Sequence, residues 1–219
     1  LLPLILLSLL LLGGCAHRPQ QTVTGEVVSE ATIARHQAQV SSVAHREAIG
    51  RIAFFDDVNR DRSAVSFTWS WQQAGAAAQE TSTFLKLYHP LRGKLAELSA
   101  TPVFAKLSMG DEQYEANTVD ELLYYYLNVP VPFELISNAV MSRIPSQHIS
   151  DASYFTSGAP AAFTYTAPFS EESWQVAFNQ YQRVAFEVGD VNLPHKIEIN
   201  GPQYRIHLSI NEWNLAHEE

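Results

Sequence analysis

The sequence predicts a mainly β fold with some α: an antiparallel meander of about eleven strands carrying three short helices. Three observations lead there. Residues 63–72 alternate strictly, with Val65, Phe67, Trp69 and Trp71 on one face and Ser66, Thr68, Ser70 and Gln72 on the other. Short apolar runs are punctuated by turn chemistry at Asp56–Arg62, Pro90-Leu91-Arg92-Gly93, Thr101-Pro102, Gly110-Asp111 and Asn200-Gly201. The 4 Trp, 9 Tyr and 11 Phe suit pleated, half-buried surfaces.

In chain order, LLPLILLSLLLLGGC comes first. Its apolar run of about 12 residues is short of the roughly 18 to 20 that cross a bilayer as a helix, and matches a signal-peptide core. Gly13-Gly14 leads into Cys15, the only cysteine, which is the layout of a bacterial lipoprotein signal. Residues 1–14 are therefore expected to be a removable signal peptide and Cys15 the lipid-attachment residue. No Met or basic segment precedes the run, so the sequence is expected to begin inside a longer reading frame. Residues 15–30, polar and containing Pro19, read as a lipidated N-terminus and flexible tether, and 31–219 as one domain.

Lys+Arg 14 against Asp+Glu 23 gives a net charge of -9, so the polybasic surface that nucleic acid or an anionic leaflet attracts is absent. Attachment to a membrane then falls to the lipid on Cys15. With that thiol committed, no disulfide braces the fold and stability rests on an apolar core.

Residues 31–47 are expected to form a first helix, with Ile33, Val40, Val43 and Ala44 at helical spacing. Strands follow at 50–55, 63–72, 81–89, 94–100, 103–109 and 113–116. In 81–89, Leu85 and Leu87 share one face and Phe84 and Tyr88 the other, which predicts cover on both sides. Thr118-Val119-Asp120-Glu121 is a capping box, and Val119, Leu122, Leu123 and Tyr126 make one apolar stripe of a helix that stops before Pro130. Pro132 opens another helix over 133–142, with Phe133, Ile136 and Val140 on one side. Residues 146–160 read as a loop. Strands resume at 161–167, at 173–180 with Trp174, Val176 and Phe178 alternating, at 181–187, and as a final pair at 196–199 and 204–210, with Trp213 closing the pattern.

Catalytic signatures are missing. The sequence holds no Gly-x-Ser-x-Gly, P-loop or Gly-x-Gly-x-x-Gly, its eight histidines form no His-Glu-x-x-His, and no enzyme, metal or cofactor is expected. Asp57-Val58-Asn59-Arg60-Asp61 looks like the start of a calcium loop, but Arg62 occupies the required glycine position and Thr68 that of the bidentate glutamate, so a solvated hairpin turn is the reading. The apolar stripes stay open between a solid β core and a ligand cavity. Leu91 at a turn tip forgoes roughly 1.5 to 3 kcal/mol of burial.

The order of motifs resembles the LolB family of outer-membrane lipoprotein receptors. It runs through His36 and Val40, Gly50-Arg51-Ile52-Ala53, Phe67-Thr68-Trp69-Ser70-Trp71-Gln72-Gln73, Leu87-Tyr88-His89-Pro90-Leu91, Asp120-Glu121-Leu122-Leu123, Val129-Pro130-Val131-Pro132, Arg143-Ile144-Pro145, Trp174-Gln175-Val176, Leu193-Pro194 and Asn211-Glu212-Trp213. The resemblance implies an unclosed antiparallel β-barrel with a lid of short helices around an apolar cavity that takes up acyl chains. Phe67, Trp69, Trp71, Leu85, Leu87, Leu122, Leu123, Ile136, Trp174, Val176 and Phe178 are the expected lining. Pro90 and Leu91 correspond to the family's membrane-insertion loop, here with Arg92 added before Gly93. The implied partners are the soluble periplasmic carrier LolA, acylated lipoproteins as cargo, and the outer membrane through lipidated Cys15. The chain is expected to work as a monomer on the periplasmic face, without ATP; Ala16 after Cys15, in place of Asp, is similar to signals for outer-membrane residence.

Overall fold

The structure, a computed structural model, describes residues 27–73, 81–127, 131–168, 171–186 and 189–216. The signal peptide, Cys15, most of the tether and the Val129-Pro130 step lie outside the described residues.

Ser29 caps α1 (Glu30–Ser41), its hydroxyl accepting from the Thr32 amide at 3.3 Å. The helix is shorter than expected. It closes at Ser42, whose amide donates to the Ala38 carbonyl, and from His45 burial alternates with period two. Residues 45–47 are strand because they pair on both sides, with 70–72 and 214–216, and two ladders outweigh a weak helical periodicity.

Eleven strands follow in one antiparallel sheet: β1 (His45–Asp56), β2 (Asp61–Gln73), β3 (Thr81–His89), β4 (Gly93–Thr101), β5 (Phe104–Met109), β6 (Glu112–Ala116), β7 (Ile149–Tyr154), β8 (Pro160–Thr166), β9 (Ser173–Phe186), β10 (Gly189–Asn200) and β11 (Tyr204–Ala216). The spatial order is β6-β5-β4-β3-β2-β1-β11-β10-β9-β8-β7, so the first strand pairs with the last and β6 and β7 are the free edges of an unclosed barrel. Close approach at the β1–β11 seam requires Gly50: a Cβ there would stand 2.2 Å from the Ser209 carbonyl oxygen, beside the register shift at Ile49/Gly50.

Three strand expectations need correction. The loop expected over 146–160 contains β7, an exposed edge strand without an apolar alternation to announce it, irregularly paired with β8 and with Asp151 at φ 53°. The segments 173–180 and 181–187 form one strand: burial slips phase between Phe178 and Tyr181, and register shifts around Pro194 and Lys196 on β10 absorb the slip. The final hairpin starts at Gly189 and ends at Ala216, beyond its expected limits on both sides.

The β1–β2 turn is the solvated hairpin read from the sequence. Asp56 Oδ1 accepts from the amides of Val58 and Asn59 at 3.0 and 2.9 Å, and Asp57 holds Arg205 in a two-point pair at 2.8 and 2.7 Å.

Two more helices lie between β6 and β7: α2 (Val119–Leu127), begun by the Thr118 hydroxyl accepting from the Glu121 amide, and α3 (Phe133–Val140), with Pro132 at its N-cap. α2 packs on β5 and β6, while α1 and α3 pack on β10. The expected α2 stripe is narrower than drawn. Val119 and Leu122 are buried, but Tyr126 is half exposed and leans on Tyr114 with ring centroids 4.7 Å apart.

Candidate functional site

Alternation in β2 sends Phe67, Trp69 and Trp71 to the sheet face that the helices cover, each only 2 % exposed. Register places Leu87 opposite Phe67 and Leu85 opposite Trp69. Trp69 stacks on Trp71 at 4.7 Å and meets Phe133 of α3 at 5.2 Å. Both indoles find acceptors, Trp69 Nε1 donating to Thr83 Oγ1 at 2.6 Å and Trp71 Nε1 to Ser137 Oγ on α3 at 3.2 Å. On β3 both rows are half-buried, Leu85 and Leu87 on this face and Phe84 and Tyr88 on the other, where Phe84 lies under the Lys86 ammonium at 4.8 Å.

The other half of the interior comes from β9, where Trp174, Val176 and Phe178 are fully buried together with Ile136 of α3. Leu122 and Leu123 belong to a smaller cluster with Leu98 and Leu107, and Leu85, Leu87 and Phe133 touch both clusters. The sequence-predicted lining residues therefore meet in one continuous apolar interior, closed by α2 and α3. Trp174 Nε1 alone among these indoles has no acceptor among the described residues. Two clefts open elsewhere: one of about 250 Å³ near Ser70, Phe84 and Phe104, and one of about 620 Å³ between α1, α3 and residues 142–148.

Leu91 is 90 % exposed at the tip of the β3–β4 hairpin. Pro90 presets the second position of the turn, the Arg92 amide donates to the His89 carbonyl at 3.2 Å, and Gly93 takes the left-handed conformation at φ +73°. With Arg92 closing the turn, Leu91 still stands exposed at its tip.

Sequence reasoning missed the polar groups that hold the helices down. His36 of α1, Ser142 after α3 and Tyr181 of β9 form a buried chain, with His36 Nε2 to Ser142 Oγ at 3.0 Å, Ser142 Oγ to Tyr181 OH at 3.1 Å, and Tyr181 OH donating to the Pro160 carbonyl at 3.0 Å. Since the tyrosine proton goes to Pro160 and the serine proton to the tyrosine, His36 must donate from Nε2. Arg46 is buried too, giving hydrogen bonds to the carbonyls of Val40 in the last turn of α1 and of Val43 just past it. Only the i, i+4 pairing of His36 with Val40 on one helical face hinted at any of this.

Burial lowers the His36 pKa from 6.5 to about 4. The unfolded chain therefore binds the proton first as pH falls. Stability supplied by neutral His36 is complete above about pH 6.5 and is lost toward pH 4, at up to about 1.4 kcal/mol per pH unit. Urea denaturation at pH 7 and pH 4.5 should show this loss, and His36→Gln should flatten the pH dependence while lowering stability at pH 7.

The model of the family "Outer membrane lipoprotein LolB" matches residues 45–213. The chain belongs to the LolB family. Among curated relatives, it is similar to the outer-membrane lipoprotein LolB of Vibrio cholerae, 26% identical over 211 residues that cover 96% of this chain and 94% of the relative. It is also similar to that of Vibrio parahaemolyticus, 23% identical with 96% and 95% covered. The fold is shared with a LolA superfamily protein from Nitrosomonas europaea, at TM-score 0.56 and 8% identity over 89% of this chain and 96% of that one. A proposed outer membrane lipoprotein-sorting protein domain from Vibrio parahaemolyticus gives 0.60 at 7% identity, covering 84% and 91%. The family is one of lipoprotein sorting, not of enzymes.

Proposed function

We propose that this chain, anchored by acylated Cys15 on the periplasmic face of the outer membrane, receives lipoproteins from a soluble LolA-type carrier and inserts them into that membrane without ATP. The observation that carries this reading is the pairing of a continuous aromatic and aliphatic interior under two short helices with a fully exposed leucine on a neighbouring hairpin. Each CH2 moved out of water contributes about 0.8 kcal/mol, so two or three acyl chains need an unbroken apolar route. Handover runs downhill wherever the receiving site binds more tightly, tenfold for each 1.4 kcal/mol or so.

Phe67, Trp69 and Trp71 are each 2 % exposed, so uptake requires α3 to move off Trp69 and Trp71 and α2 off Leu98 and Leu107. Their contacts suit such a lid. To the sheet face under it, α3 is joined by the hydrogen bond between the Ser137 hydroxyl and the Trp71 indole and by apolar packing through Phe133 and Ile136 that an acyl chain can replace, while the Ser142 chain anchors its C-terminal end. The reading is tested by mixing labelled lipoprotein, bound to its carrier, with a soluble Cys15→Ala form. A second reading, an assembly lipoprotein with a permanently solid core, draws on the full burial of Trp69 and Trp174; under it the labelled lipoprotein stays on the carrier.

A further inference from the structure

We propose that the cleft between α1, α3 and residues 142–148 binds the phosphodiester head of a membrane lipid, with Arg143 as the cation that holds it. The cleft measures about 620 Å³, the size of a small-molecule site. Its floor is apolar, from Val40, Leu135, Ile144 and Pro145, and its walls carry uncharged hydrogen-bonding groups such as Gln37 and Asn138. That combination fits an amphiphile and not a bare ion.

The charge arrangement points to an anion. Arg143 is half-buried, and its guanidinium makes no ion pair or hydrogen bond among the described residues. Burial pulls its pKa down, as expected for a cation taken from water without a counter-charge. Arg46, which is not part of the cleft's lining, is only 2 % exposed, and its Nη1 has no acceptor among the described residues. Arg46 falls to about 9, first through burial and then through repulsion by Arg143. A partly desolvated guanidinium without a counter-charge is stabilised by an anion, and its fork matches two phosphate oxygens.

Among the described residues one carboxylate lines the cleft, Glu134, which is exposed and unpaired with Arg143. It leaves the site polarised, positive at Arg143 and negative at Glu134. A head with an ammonium on its phosphodiester, phosphoethanolamine, meets both. The assignment does not use the aromatic row of Phe67, Trp69 and Trp71 on which the transfer reading turns, although Val40, Leu135 and Ile144 belong to the same apolar core and α3 borders both.

The test is an NMR titration of the full mature chain, kept soluble by Cys15→Ala, with dihexanoyl phosphatidylethanolamine, dihexanoyl phosphatidylglycerol and inorganic phosphate, each below its aggregation limit. Saturable shifts at Asn138 and Ile144 are expected with both lipids. Affinity should fall at least tenfold in Arg143→Gln and recover in part in Arg143→Lys, and Glu134→Gln should weaken phosphatidylethanolamine but not phosphatidylglycerol. Arg143→Gln should melt at or above the parent temperature, since an uncompensated buried charge is removed. Absence of saturable lipid binding, or equal binding by Arg143→Gln and parent, overturns the site. Inorganic phosphate binding as tightly as the lipids overturns the lipid assignment.

Discussion

Leu91→Glu is expected to accept lipoprotein from the carrier normally and to fail to deliver it, with insertion into liposomes falling at least tenfold. Burial of a leucine side chain in an apolar phase is worth roughly 1.5 to 3 kcal/mol, and a carboxylate carried toward hydrocarbon costs several more. The fold should not register the change. Leu91 is 90 % exposed and its turn is held by backbone groups, Pro90 and Gly93, so the stability change should stay within about 0.5 kcal/mol. Leu91→Phe, which keeps the apolar tip, should retain delivery. Flotation of labelled lipoprotein with liposomes reads the insertion step, and the thermal midpoint reads the fold. A Leu91→Glu chain that inserts as well as its parent would remove the loop from the mechanism.

Trp69→Ala is expected to cost about 3 to 5 kcal/mol in urea denaturation, a large part of the roughly 5 to 15 that hold a domain of this size. The substitution deletes the hydrogen bond to Thr83, the stack on Trp71 at 4.7 Å and the contact with Phe133 at 5.2 Å, an aromatic tie between the sheet and α3. Trp69→Phe should lose less, because an aromatic ring still reaches Phe133. Phe84→Ala, on the opposite face of the neighbouring strand, should cost far less than either. If Trp69→Ala loses no more than Phe84→Ala, the row does not tie the lid to the sheet.

The β2 face was legible because alternation over ten residues admits one interpretation: Phe67, Trp69 and Trp71 could share only a buried side. The Leu91 turn was equally plain, since Pro90 and Gly93 each perform one backbone task. Less legible was anything decided between distant residues. The strand character of residues 45–47 depends on partners 25 and about 168 positions away, and the continuity of β9 depends on a bulge in β10 that its own sequence does not show. β7 was hidden because an exposed edge strand needs no apolar alternation. The setting of Arg143 was invisible too, since its cleft forms only when α1 and the segment after α3 are brought together by the sheet.

Entry of acyl chains between the helices and the Trp69 face is read out by site-specific photo-cross-linking during transfer. A soluble Cys15→Ala chain with a photoreactive residue at Ile136 or Leu123 is mixed with carrier-bound lipoprotein carrying labelled acyl chains, with the same residue at Tyr88 as the comparison. The expected result is transfer of the label and cross-linking from Ile136 and Leu123 but not from Tyr88. Label that stays on the carrier, or cross-links only from Tyr88, would contradict it.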